Sequence, residues 1–240
     1  MRWFAVVSVL VSALAEFGDR QDVPKIIKDA RNDDIPIFIK EGQVNTIDDK
    51  SVHRGSLRAV RTPCVSSIEE LLLHCNQFLS FSMNGIDLLQ IDIECFDYLV
   101  IYALGRLRPR FIHYEDTCLG NHSSRVKALL HKKGYLTTKG AGEDTLACLI
   151  GPCTDFDTVM TGLRGTINFI QVGANDGITN DPLRPYIAEG DFQGIMVEPT
   201  VGMYAKLSRL YGNDPKKCLY RAAFAPRGKC VDGTITFYKY

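Results

Sequence analysis

The feature that most constrains this chain is the order of two segments, each of which reads as part of a nucleotide-binding α/β unit. Near the C-terminus stands Ile167-Asn-Phe-Ile-Gln-Val-Gly-Ala-Asn-Asp-Gly177, and beyond it Gly194-Ile-Met-Val-Glu-Pro199. This has the form of the start of such a unit. Upstream stands Ile86-Asp-Leu-Leu-Gln-Ile-Asp-Ile-Glu-Cys-Phe-Asp97, which has the form of its middle. Either the two parts complete one sheet with its halves in inverted order, or the chain carries the end of one domain and the beginning of another.

In the C-terminal part, Ile167, Phe169, Ile170 and Val172 make a short apolar run that suits a buried strand. Gly173 and Gly177 flank a tight turn in which the backbone can approach a ligand. Asp181 and Pro182 then read as the cap and first turn of a helix carrying Leu183, Tyr186 and Ile187 at helical spacing. A second strand from Gly194 to Val197 ends on Glu198, 21 residues after Gly177. Strand, glycine turn, helix, strand and terminal acid form the pattern of doubly wound folds, in which that acid accepts hydrogen bonds from ribose hydroxyls. The turn is Gly-x-x-x-Gly, without the second glycine that lets a pyrophosphate close in. That favours a cofactor lacking a pyrophosphate, such as S-adenosylmethionine, over a nicotinamide dinucleotide.

The linked motifs resemble the FkbM family of S-adenosylmethionine-dependent methyltransferases. Val172-Gly-Ala-Asn-Asp-Gly177, Asp181-Pro182-Leu183 and Gly194-Ile-Met-Val-Glu-Pro199 are similar to the family's opening. Tyr204 to Tyr211 and Ala222-Ala-Phe-Ala225 are similar to the family's next segments. Upstream, Leu88 to Asp97 resembles the family's Ile-Asp-x-Glu-Gly-(Phe/Tyr)-Asp motif. Arg108 to Glu115 resembles its next strand, and Gly134-Tyr135 with Asp144 to Ala147 its closing hairpin. The chain departs from the family in two ways: Cys95 stands where the family has Gly, and the last half of the domain precedes the first.

The resemblance implies a mostly parallel, doubly wound, Rossmann-like sheet with an antiparallel closing strand, permuted or assembled from two half-domains. It implies three stretches: an N-terminal, partly irregular segment (1–56), a part similar to the domain's C-terminal half (57–150), and a part similar to its N-terminal half that carries the cofactor turn (151–240). It implies S-adenosylmethionine as cofactor and methyl transfer to a hydroxyl of a sugar or other small molecule. Gly173, Asn175, Asp176, Gly177 and Glu198 are the expected cofactor residues. Asp92 and Glu94, two apart at a strand end and so expected on the same side, are expected beside the transferred methyl with Glu115. There they would orient or deprotonate the acceptor or hold a metal. His113 reads as a satisfied structural histidine rather than a base. The competing reading is a catalytically incomplete fragment of a tandem methyltransferase protein, acting at most as a binding or structural module.

Composition narrows the remaining classes. The 240 residues carry 28 basic and 28 acidic side chains, and no charge run points to nucleic acid. The eight cysteines are scattered without a C-x-x-C pair, which excludes zinc spacing and reads as reduced, partly buried thiols. Arg2 precedes an apolar run from Trp3 to Val11 and then Ala13-Leu-Ala15. This has the form of a short signal peptide, too short to be a stable membrane span. The competing reading is a buried element of the domain, and the cytoplasm is the favoured compartment on that view. Helices are expected over 66–78 (Ser66 as cap, Glu69 completing a capping box), 96–104, 123–133 and 155–163. Strands are expected over 86–93, 111–115, 135–138, 145–150 and 234–238.

Overall fold

The computed structural model describes residues 58–75, 79, 85–93, 95–140, 144–151, 153–226, 228–230 and 232–239, and before them the strand residues 4–5 and 37–40. By its internal contacts the chain divides into one unit of residues 1–61 and 236–240 and another of residues 62–235. In the first unit β1 (Phe4–Ala5) pairs antiparallel with β2 (Ile37–Lys40), and Phe237 to Lys239 run parallel to Ile37 to Ile39. These last residues belong to β12 (Thr234–Lys239), which fulfils the expected strand over 234–238.

The second unit is a three-layer α/β structure. Its elements are β3 (Arg58–Val65), α1 (Ile68–Cys75), β4 (Leu88–Ile91), α2 (Asp97–Tyr102), β5 (Phe111–Glu115), α3 (His122–Lys132), β6 (Leu136–Lys139), β7 (Asp144–Cys148), α4 (Phe156–Gly162), β8 (Ile167–Val172), α5 (Arg184–Glu189), β9 (Phe192–Val197), α6 (Val201–Tyr211), β10 (Lys217–Tyr220) and β11 (Ala223–Phe224). Seven strands form one sheet in the order β10-β9-β8-β4-β5-β7-β6. Five of them are parallel neighbours, and β7 is antiparallel to both β5 and β6.

The two stretches that read as inverted halves therefore share one sheet. Leu88, Leu89, Gln90 and Ile91 lie opposite Phe169, Ile170, Gln171 and Val172, so β4 from the upstream stretch and β8 from the downstream one are central neighbours. The physical reason is visible in the strands themselves. Every residue of β4 is buried, as are five of the six in β8, so neither could tolerate a solvent-exposed edge or face.

Helices cover both faces. Leu89, Ile91, Ile112, Tyr114, Ile170, Val172, Ile195 and Val197 turn to one side and pack under α1, α2 and α3 through Ile68, Leu71, Val100, Ile101, Val126 and Leu130. The alternate residues Leu88, Phe169, Phe192 and Met196 turn to the other side, where Met160, Ile187 and Leu207 of α4, α5 and α6 close over them. The period of two along each strand thus sorts one apolar run into two cores.

Several local expectations shift. The cap of α1 is Ser67, whose Oγ accepts from Glu70 N at 3.2 Å, while the Glu70 carboxylate reaches back to Ser66 N at 2.8 Å. The reciprocal pattern is one residue later than the sequence suggests. Asp181 does not cap a helix directly: its Oδ1 takes the Leu183 N–H at 2.9 Å in a tight turn, and α5 starts at Arg184. Asp155 does cap α4, accepting from Thr158 N at 2.8 Å.

The cysteines correct the expectation of reduced thiols. All eight are paired: Cys64–Cys230, Cys75–Cys218, Cys95–Cys118 and Cys148–Cys153, with Cα atoms 4.8–5.8 Å apart. Two of these bridges span 166 and 143 residues, so no local spacing could announce them. They tie the β3–α1 region to the β10–β12 region. Each crosses from one inverted half to the other.

Candidate functional site

The sheet's winding reverses between β8 and β4. From β8 the chain proceeds outward through α5, β9 and α6 to β10; from β4 it proceeds the other way through α2, β5 and α3. The crossovers diverge there, leaving a crevice beyond the carboxyl ends of the two strands, which is where open α/β sheets bind ligands. Gly173 comes directly after β8, Asp92 after β4 and Glu198 after β9, and Glu115 ends β5. All four strands are parallel, so all four residues lie at the same edge of the sheet.

At the reversal point the two halves touch through backbone. Asp92 N donates to Val172 O at 2.9 Å, continuing the β4–β8 ladder by one bond. Gly173 has φ +88°, and a Cβ there would stand 2.0 Å from the Asp92 carbonyl oxygen and 3.0 Å from Ile93. Only glycine fits, because both the backbone conformation and the clearance forbid a side chain. Gly173 N and Ala174 N both donate to Val197 O at 2.9 Å, which pins the start of the turn to β9 as well. Gly177, at φ +73°, closes the turn against Leu207 and Tyr211 of α6.

Glu198 is the most constrained acid of the site. It is 6% exposed, and its Oε2 accepts the Asn175 N–H at 3.0 Å. Its Oε1 accepts from Thr200 N at 2.8 Å and from the Thr200 hydroxyl. Burial pushes its pKa up, against the opposing pull of those hydrogen bonds. The carboxylate therefore holds the turn at its middle as well as facing the crevice edge. The Asn175 Oδ1 atom is buried without a hydrogen-bond partner. Asp176 folds back on its own turn, accepting from Ile178 N at 3.1 Å, Thr179 N at 2.7 Å and Thr179 Oγ1 at 3.0 Å, with Lys206 3.9 Å away. Burial works to raise its pKa, but these donors and Lys206 carry it below the ordinary carboxylate value.

On the other side of the reversal point, Asp92 and Glu115 come to the same edge and share a neighbour that sequence reasoning did not single out. Asp97 opens α2 with no exposed surface. Its Oδ1 accepts from Ile93 N at 3.0 Å and its Oδ2 from Glu115 N at 2.9 Å, so one carboxylate laces the ends of β4 and β5 together. Burial and the nearby Asp92 charge push its pKa well up; Glu115 adds to this, while the two backbone bonds oppose it. The signal was in the sequence, since Asp97 closes the Leu88–Asp97 motif. An Asp at the first turn of a helix reads as a cap, and only the fold shows that it bridges two strands. Asp92 lies past the end of β4, which stops at Ile91, so strand alternation does not govern where Asp92 points. Glu94 lies outside the described residues. Cys95, where the resemblance expects Gly, bridges to Cys118 in the segment after β5 and so joins the two loops at this edge.

His113 is structural. It is buried, its Nδ1 lies 2.7 Å from Gln90 Oε1, and its ring stacks on Phe156 at 4.1 Å. Burial lowers its pKa to about 4, with Asp157 opposing, so the ring is neutral near pH 7. Among the described residues no group of three or more His, Cys, Asp or Glu side chains is disposed to hold a metal ion, and no helix is long and apolar enough to cross a membrane.

Comparison with models of known protein families, with curated proteins and with solved structures finds no match. The chemistry of the site therefore rests on its own geometry.

Proposed function

We propose that the chain is an S-adenosylmethionine-dependent methyltransferase that acts on a hydroxyl of a sugar or other small molecule, with the two inverted stretches forming one Rossmann-like domain. The observation that carries this reading is the contact of the Gly173 turn with Asp92 at the point where strand order reverses. With β8 as strand 1, the sheet reads 3-2-1 from its β10 edge and continues through β4 and β5, the order of doubly wound nucleotide-binding sheets.

In this reading the Gly173–Gly177 turn, whose Gly173, Ala174, Asn175 and Gly177 N–H groups are bonded within the protein, offers the partnerless Asn175 Oδ1 to the ammonium of the cofactor's amino-acid end. Glu198 uses its remaining lone pair for a ribose hydroxyl. Its Oε1 already accepts from both the amide and the hydroxyl of Thr200, so the lone pair left for a ribose hydroxyl is on Oε2. Asp92 and Glu115 stand across the reversal, where an acceptor hydroxyl would be aligned for in-line attack on the methyl carbon and relieved of its proton. Asp97 positions Glu115 through its backbone N–H and Asp92 through that of the following residue, Ile93. Methyl transfer from a sulfonium needs little beyond such alignment and a base.

A second reading draws on the saturation of Glu198, whose oxygens already serve Asn175 and Thr200. On this reading the acid is a fold-holding residue and the domain binds no cofactor. Titration calorimetry of S-adenosylmethionine into the full, oxidised chain separates the two. Binding that weakens by about 1–3 kcal/mol in Glu198→Ala, the usual range for a hydrogen bond to a charged group, is the expected result. A folded chain that takes up no cofactor would sink the methyltransferase reading and leave the structural one.

A further inference from the structure

We propose that this chain matures in an oxidising secretory compartment and that Asn121 carries an N-linked oligosaccharide there. Two independent observations meet at this residue. The first is that all eight cysteines are paired. Cytosolic thiols are held reduced by glutathione and thioredoxin, so a chain whose every cysteine is bridged belongs where disulfides form and persist.

The second observation is Asn121-His122-Ser123, the one place in the sequence where Asn is followed two residues later by Ser or Thr with a residue other than Pro between. Such a triplet means nothing in a chain that never meets the glycosylating enzyme. Here the fold also leaves it usable. Asn121 is exposed, at the turn that leads into α3, and its side chain makes no capping hydrogen bond. The preceding Gly120 has φ +52° with open space where a Cβ would point. A sugar on Asn121 Nδ2 therefore displaces no capping hydrogen bond and leaves from an exposed residue. The Ser123 hydroxyl donates to Asp116 Oδ1 at 2.7 Å, which fixes the first turn of α3 beneath the attachment point. By comparison, Asn168, Asn175 and Asn180 have no Ser or Thr at the required position.

The chemistry is a substitution at an anomeric carbon. Asn121 Nδ2 bonds to C1 of an oligosaccharide carried on a lipid pyrophosphate, and the C1–O bond to the pyrophosphate breaks. The lipid pyrophosphate leaves with the electron pair, and the nitrogen's proton passes to a base of the transferase. Nothing is oxidised or reduced. The donor and the transferase belong to the secretory pathway of the host cell.

The test expresses the full chain with its own N-terminus in animal cells. The expected result is a product whose electrophoretic mobility rises in a single step on treatment with peptide N-glycosidase, and whose unreduced, denatured form takes up no maleimide. Peptide mass spectrometry after that treatment should find Asp at position 121. Asn121→Gln should run at the deglycosylated position. Should Ser123→Ala disturb α3, Ser123→Thr keeps both the hydroxyl and the acceptor triplet and should stay glycosylated. A product with intact disulfides but no mobility change overturns the Asn121 site. A product that labels on all eight cysteines before reduction overturns the compartment as well. Neither outcome bears on cofactor binding, so the methyltransferase reading stands or falls separately.

Discussion

Replacing Gly173 by Ala should strike the point where the upstream and downstream stretches press together just beyond the last β4–β8 pair. Two costs combine. A non-glycine residue at φ +88° leaves the right-handed region at a cost of about 1–2 kcal/mol. The added Cβ would also sit 2.0 Å from the Asp92 carbonyl oxygen, which is backbone and cannot rotate away, so the β8 and β4 ends must part. Overpacking of this kind costs about 1–3 kcal/mol, for a total of about 4 kcal/mol. With a urea m value of about 2 kcal/mol/M, the unfolding midpoint should fall by about 2 M. The same separation would break the Asp92 N to Val172 O bond and loosen the crevice, so any bound S-adenosylmethionine should weaken with it. Gly202→Ala, at the start of α6 with open space around the new methyl, is the control and should be neutral or stabilising by up to about 1 kcal/mol. Urea unfolding of the oxidised proteins, followed by circular dichroism, measures both. A Gly173→Ala loss of about 1 kcal/mol or less would mean that only the backbone conformation was disturbed, and that Asp92 does not press against Gly173.

Other outcomes rest on the same geometry. His113 titrates near pH 4 when folded and near 6.5 when unfolded, so its contribution is complete above pH 6.5 and is lost as pH falls toward 4; the loss is up to about 3 kcal/mol. His113→Gln should flatten that part of a stability-against-pH curve, and a curve unchanged by the substitution would show that the ring is not buried neutral. Removing the Cys75–Cys218 bridge by a double Ala substitution should cost about 2–5 kcal/mol, as expected for a long closed loop, and thermal unfolding would reveal it. Asp97→Ala should destabilise more than Asp92→Ala, because it orphans the Ile93 and Glu115 N–H groups; equal effects in urea would remove its lacing role. With a methyl acceptor in hand, Asp92→Asn should lower turnover while leaving cofactor affinity nearly unchanged, and an equal loss in both would place Asp92 in cofactor binding instead.

Much of the sheet was legible because its strands announce themselves. Phe111–Glu115 and Ile167–Val172 match the expected limits, since a strand buried on both faces is rich in apolar residues at successive positions and not only at alternate ones. The β4–β8 pairing was legible too, because each stretch alone would have left a buried strand without a neighbour. Helix starts were less so. Ser66 and Ser67 are chemically alike, and only the backbone decides which hydroxyl reaches Glu70 N. In the site, the glycine turn and Glu198 could be named from spacing. What spacing could not give was that Glu198 spends its oxygens on Asn175 and Thr200, or that Asp97 spans two strand ends. Both depend on strands brought together from distant parts of the chain. The cysteines failed for the same reason: the bridges to Cys218 and Cys230 join residues that only a closed, inverted sheet makes neighbours.

The order of the strands along the chain also sets a timetable for biogenesis. A ribosome releases β4, β5 and the β6–β7 hairpin well before β8, so the nascent chain holds a buried-type strand with one edge open until residue 172 has emerged. Such an edge is a template for association with other chains. Cys64 and Cys75 wait longer still, because their partners lie 166 and 143 residues downstream. Only the short pairs, Cys95–Cys118 and Cys148–Cys153, can close early. Productive folding of this chain should therefore wait on its downstream strands, be dominated by contacts between residues far apart in sequence, and depend on catalysts that shield open strands and correct early mispairing.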